Sequence, residues 1–138
     1  MKIKRSGKAH WAGSGKEGEG MLSTPSKVLD NTRYGFQSRF ADGPGTNPEE
    51  LLGAAHAGCF SMKLAFNLQA AGFTASSIDT TSTVILEDGV ISTIELHTEA
   101  EVPGMDEAKF QELAADAKTN CPVSKLFKAE MTLTAVLR

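Results

Sequence analysis

Residues 46–72, TNPEELLGAAHAGCFSMKLAFNLQAAG, are the longest weakly polar run of the chain and constrain its fold more than any other segment. Asn47 is a favoured N-cap, Pro48 suits a first helical position, and Glu50 follows the cap by three residues as in a capping box. Gly72 supplies the stop, because glycine takes the left-handed conformation that closes many helices. Between these signals Lys63 is the only charge after Glu50, so a polar face is nearly missing. The pattern predicts a long buried central helix, covered nearly all round, with Cys59 in its middle. Its length raises the question of a membrane span, but the alanine and glycine content with Asn67, Gln69 and Lys63 fits a protein interior.

A chain of 138 residues is sized for one domain, 1–138, with a real core. Its 41% hydrophobic and 22% charged residues are ordinary for a soluble globular protein, so no membrane partner is expected. A net charge of −3 leaves no basic footprint for nucleic acid. The opening MKIKRSGKAHW has no apolar run after its lysines, unlike a secretory signal. Two cysteines far apart in the chain do not make the disulfide framework of a small secreted domain. The expected setting is cytoplasmic, where a cysteine pair is redox-active, metal-binding or simply buried.

Along the chain, residues 2–12 suit an edge strand, and GSGKEGEG is a hairpin turn in preference to a phosphate loop, since no GK[ST] ending follows. Met21–Ser26 reads as a second strand. Arg33–Phe40 reads as a third, with Tyr34, Phe36, Ser38 and Phe40 on one face. After the helix, Ser77–Leu86 and Val90–Val102 are β-branched strands joined at Glu87-Asp88-Gly89. Asp106 caps a helix over Glu107–Lys118, a short helix restarts at Pro122, and Glu130–Leu137 closes the chain as a strand. The order βββ-α-ββ-α-α-β indicates an α+β fold with antiparallel sheets, not a parallel βαβ fold.

The candidate chemistry centres on the two cysteines. Cys59 is either a buried small hydrophobe or a nucleophile in an apolar setting. Cys121, just before Pro122, either ends a loop or caps a helix, where backbone N–H groups and the helix dipole favour an anion. His56 shares a helical face with Cys59, but side chains stacked on one helix seldom align for proton transfer, so a packed core histidine is preferred. His10 and His97 have no ligand spacing to either cysteine, and no metal is expected. Glu50 satisfies the capping box and leaves Glu49 free, or complementing the helix dipole. Arg39, between Phe36 and Phe40, is either an exposed edge arginine or a charge that needs a partner. In a straight helix Glu49 and Cys59 stand about 15 Å apart along the axis and about 80° apart in direction. If both serve one site, a second subunit supplies one of them.

YGFQSRF, GTNPEELLGAAHAGCFSMKL, SIDTTSTV, VPGMD and NCPVSKLFKAEMTL together resemble the OsmC/Ohr family of thiol-dependent organic hydroperoxide reductases, over nearly the whole chain and in order. Arg39 in the third strand resembles OsmC proper, since the Ohr branch carries its arginine in the N-terminal glycine turn, where this chain has only Lys16. The resemblance implies an OsmC-like fold in an intertwined homodimer with sites at the subunit interface and no metal, haem or flavin cofactor. It makes Cys59 the peroxidatic thiol and Cys121 the resolving thiol, with Arg39 and Glu49 activating the cysteine and orienting the peroxide. The expected activity is reduction of organic hydroperoxides in stress defence, with an external dithiol, of lipoyl type by extension from the Ohr branch, as reductant. A non-catalytic stress-related dimer binding a hydrophobic ligand is the alternative reading. An acyl transferase is weakened by the lack of a convincing base beside Cys59.

Overall fold

The computed structural model describes all 138 residues. Its elements run β1 (Lys8–Ala12), β2 (Glu19–Ser23), β3 (Thr32–Tyr34), α1 (Phe36–Phe40), α2 (Pro48–Ala70), β4 (Ser77–Glu87), β5 (Val90–Glu101), α3 (Glu107–Asn120), α4 (Pro122–Leu126) and β6 (Glu130–Leu137). The content is α+β, with two three-stranded sheets ordered β1-β2-β3 and β4-β5-β6. The chain divides into two compact units, Met1–Leu51 and Leu52–Arg138.

In the first unit, β1 and β2 form the expected hairpin over the glycine turn, with Trp11 opposite Gly20 and Gly20 opposite Tyr34. Trp11 and Tyr34 close over that glycine with ring centroids 5.5 Å apart, and a side chain on Gly20 would overlap both rings. The third strand is much shorter than the sequence pattern predicts. It stops at Tyr34, and Phe36–Phe40 is a helical turn. The alternation of Tyr34, Phe36, Ser38 and Phe40 contains a spacing of four as well as of two, and the helix uses the spacing of four: Phe36 and Phe40 stack at 4.9 Å. Ser38 fixes the turn by accepting the Gly35 N–H at 2.9 Å and donating to the Thr46 carbonyl at 2.7 Å. Arg39 therefore sits on a helix, not in a strand.

The start of α2 follows its sequence signals only in part. Asn47 Oδ1 accepts the Glu50 N–H at 2.7 Å, whereas the Glu50 carboxylate takes the Thr46 hydroxyl at 2.7 Å. At the other end the Phe73 N–H reaches the Leu68 carbonyl at 2.9 Å and the Gly72 N–H reaches Gln69 at 3.0 Å, with Gly72 at φ 90°. This paired closure is the glycine stop expected from the sequence.

In the second unit α2 buries one stripe, Gly53, His56, Phe60, Leu64 and Leu68, at helical spacing. Phe60, Leu64 and Leu68 join Leu96, Ala100, Val102, Phe110, Ala114, Ala117 and Cys121 in the core. The expectation of a helix covered nearly all round is corrected here: Met62 and Phe66 on α2 are 64% and 60% exposed. No helix is long and apolar enough to cross a membrane. The β4–β5 hairpin turns through Asp88 at φ 50° and Gly89 at φ 80°, the two-residue turn that Asp-Gly favours. The second sheet is not antiparallel throughout, because β6 pairs parallel to β5, Thr93 with Glu130 through Ala100 with Leu137. The helices α3 and α4 return the chain to the end of the sheet where β5 began, so β6 enters in the same direction. Asp106 caps α3 as expected, accepting the Lys109 N–H at 2.8 Å.

Candidate active site

The four residues singled out from the sequence form two pairs, each within one unit. In the first unit, Asn47 Nδ2 donates to the Ser38 carbonyl at 3.0 Å and ties α1 to the start of α2. That tie brings Arg39 onto Glu49 in a bidentate pair, Nε to Oε1 and Nη2 to Oε2, both at 3.0 Å. The hydrogen bond to Glu49 raises the Arg39 pKa above its ordinary value, and the guanidinium also lies 5.3 Å from the centre of the Phe40 ring. Glu49 is nearly covered while Arg39 keeps 39% of its side chain exposed, so the pair itself contributes at most about 1 kcal/mol of stability. Its planar fork holds the guanidinium in one orientation. Glu49 is thus not free, and Arg39 is not an unpartnered edge charge.

In the second unit, Cys59 on α2 neighbours Cys121, and both are free thiols. Cys121 is fully buried and Cys59 half-buried. Cys121 is the N-cap of α4, as its place before Pro122 suggests, and its sulfur accepts the Ser124 N–H at 3.3 Å. Burial pushes the Cys59 thiol pKa up, a hydrogen bond from the Val123 backbone N–H pulls it down, and the neighbouring Cys121 pushes it up further. Within the single chain the balance favours the protonated thiol.

His56 is not a base for Cys59. Its Nε2 lies 2.8 Å from Ser124 Oγ and its Nδ1 3.2 Å from Ser82 Oγ. Ser124 and Ser82 escaped the sequence reading. The one signal for Ser124 was its position three residues after the N-cap, where a serine falls back towards the capping side chain. Nothing local pointed to Ser82. A cavity of about 510 Å³ lined by Ser6, Lys8, Ser23, Lys27 and Asp30 includes none of the four candidate residues.

The family model for OsmC-like proteins matches residues 41–136. Peroxiredoxin OsmC of Escherichia coli is 49% identical over an alignment of 142 positions, which covers 100% of this chain and 99% of that protein. Among solved structures, an OsmC-like protein of Vibrio cholerae superposes with a TM-score of 0.79 at 12% identity, covering 98% of this chain and 100% of that one. The organic hydroperoxide resistance protein OhrB of Bacillus subtilis gives 0.63 at 23% identity, covering 96% and 98%. The chain thus shares its α+β fold with both structures. The chain belongs to the OsmC family.

Proposed function

We propose that this chain is a cysteine-based peroxidase that reduces organic hydroperoxides to alcohols. The observation that carries the reading is that a half-buried Cys59 packs against the core that seals a fully buried Cys121, near enough for Cys121 to bear on its ionisation. A sulfur open to a small substrate, backed by one that is sealed from it, suits an attacking and a resolving thiol. The 49% identity to a peroxiredoxin over the whole chain supports the same activity.

Three steps follow. The Cys59 thiolate attacks the terminal oxygen of ROOH, the O–O bond breaks, and ROH leaves once a proton is supplied, with Cys59 now a sulfenic acid. Cys121 displaces hydroxide from that sulfur, giving a disulfide and water. An external dithiol, of lipoyl type by analogy, reduces the disulfide in the cytoplasm and restores both thiols. The Phe60 and Leu64 side chains near Cys59 in sequence belong to an apolar core, a setting that suits the alkyl part of an organic hydroperoxide.

Burial raises the Cys59 pKa, so attack at neutral pH needs a nearby cation. The Arg39–Glu49 fork is the proposed source, acting on Cys59 in a site completed by a second subunit. The outward Met62 and Phe66 favour such a homodimer, since large apolar side chains side by side on one helix are normally covered. Peroxide consumption that disappears in Cys59→Ser is the deciding assay. Full consumption without Cys59 contradicts the proposal, and unreacted thiols in the native protein favour a dimer that only binds a hydrophobic ligand.

A further inference from the structure

The three-step scheme leaves one buried ionisable side chain unused. His56 is fully covered on α2, its ring edge-on to Phe127 with centroids 5.3 Å apart. Both its hydrogen-bond partners are neutral hydroxyls, Ser82 Oγ from β4 and Ser124 Oγ from α4. Cys121 lies beyond Ser124, Cys59 sits one turn along α2, and burial alone shifts the His56 pKa. The Cys121 thiol donates to Ser124 Oγ at 3.3 Å, and Ser124 Oγ is 2.8 Å from His56 Nε2. A continuous hydrogen-bonded path therefore runs from the Cys121 sulfur through a hydroxyl to an imidazole nitrogen.

We propose that Ser124 and His56 form a proton relay that deprotonates Cys121 as the disulfide closes, with Ser82 holding the imidazole in the tautomer whose Nε2 accepts. The proposal rests on the peroxidase reading above and concerns only its second step. Ser124 touches the reacting sulfur, whereas His56 and Ser82 are positioning residues that act through it. The Cys121 S–H proton passes to Ser124 Oγ while the Ser124 hydroxyl proton passes to Nε2. The freed sulfur lone pair attacks the Cys59 sulfenic sulfur, the S–S bond forms, and the S–O bond breaks. The hydroxide lost from Cys59 and the proton collected by His56 make up the single water released. No further oxidant is needed, because the peroxide was consumed in forming the sulfenic acid.

Three features suit this role over simple polar packing. The Ser124 N–H also points at the Cys121 sulfur, at 3.3 Å, and stabilises negative charge there as the proton leaves. Ser82 occupies Nδ1, so a ring with its proton on Nδ1 presents an unprotonated Nε2 to Ser124. Burial lowers the His56 pKa, which keeps the ring neutral and able to accept at pH 7.

The test is a single turnover of the full-length reduced protein with one equivalent of cumene hydroperoxide. Dimedone trapping of the Cys59 sulfenate and non-reducing peptide mapping of the disulfide separate the two rates. In Ser124→Ala the ratio of disulfide closure to sulfenate formation is expected to fall on the order of 100-fold, the scale of a lost general base. Ser124→Thr, which keeps a hydroxyl, restores the ratio. In the native protein closure slows as pH falls through the histidine range, and His56→Gln loses that inflection. Closure in Ser124→Ala at the native ratio overturns the relay. Should the variants not fold, a native closure rate that stays flat as pH falls from 6.5 to the acid limit of folding overturns it equally. If the native protein forms no Cys59 sulfenate, the peroxidase reading itself fails, and the relay falls with it.

Discussion

Gly53→Ala tests the packing that positions the buried half of the candidate site. Gly53 is buried where α2 approaches β4, and a Cβ built there lies 2.8 Å from the Ser82 backbone oxygen and 3.8 Å from Val84 Cγ2. An ordinary helix interior gains about 0.5–1 kcal/mol from this substitution, because alanine loses less backbone entropy on folding. Here the obstacle is a strand carbonyl that cannot rotate aside, so helix and strand must separate by a few tenths of an ångström. Overpacking of this kind costs about 1–3 kcal/mol. The net expectation is a loss of about 1 kcal/mol, or roughly 4 °C in Tm for a chain of this size. Ser82 also holds His56 Nδ1 at 3.2 Å, so the displacement reaches the histidine. Thermal melts of Gly53→Ala followed by circular dichroism provide the assay. A Tm above that of the native protein refutes the close approach and the reasoning built on it.

Three further outcomes are expected. The lowered His56 pKa makes stability depend on acid: at neutral pH folded and unfolded forms are alike in charge at this site, but below the ordinary value of 6.5 the unfolded chain takes a proton that the folded one refuses. The contribution is therefore lost as pH falls from 6.5 towards the depressed folded value, and melts of His56→Gln are expected to show a flatter pH dependence over that window. Arg39→Gln is expected to move the midpoint of Cys59 alkylation by iodoacetamide to higher pH, because the thiolate reacts and burial alone raises its pKa. An unchanged midpoint removes Arg39 from the site. Cys121→Ser is expected to complete one stoichiometric reduction of peroxide and then stop, and sustained turnover with a dithiol in that variant denies Cys121 the resolving role.

Signals that act over a few residues read correctly from the sequence. Asn47 and Pro48, the Gly72 stop, the Asp88-Gly89 turn, the Asp106 cap and the Cys121–Pro122 helix start each produced the element they predict. The misreadings came where a local pattern admits two structures or where distant segments decide. Phe36 and Phe40 fit a strand and a helical turn equally, and Ser38 settled the matter through Thr46, eight residues on. The direction of β6 depends on where α3 and α4 release the chain, which no residue of β6 encodes. Met62 and Phe66 look like core residues in a run with so few charges, yet the single chain leaves both exposed. At the site, the pairing of Cys59 with Cys121 was expected from resemblance, and no spacing in the sequence places the two side by side. The two partners of His56, Ser82 and Ser124, lie 26 and 68 residues away, beyond any helical or strand period. Arg39 and Glu49 were each named, but their fork depends on the tie from Asn47 to Ser38.

The central claim is that Cys59 and Cys121 are the two sulfurs of one peroxidatic cycle. Reduced protein mixed with one equivalent of cumene hydroperoxide, followed by non-reducing peptide mass spectrometry, tests it most directly. A Cys59–Cys121 disulfide within one chain, formed within seconds, is the expected result. Two unmodified thiols after minutes of exposure contradict the claim.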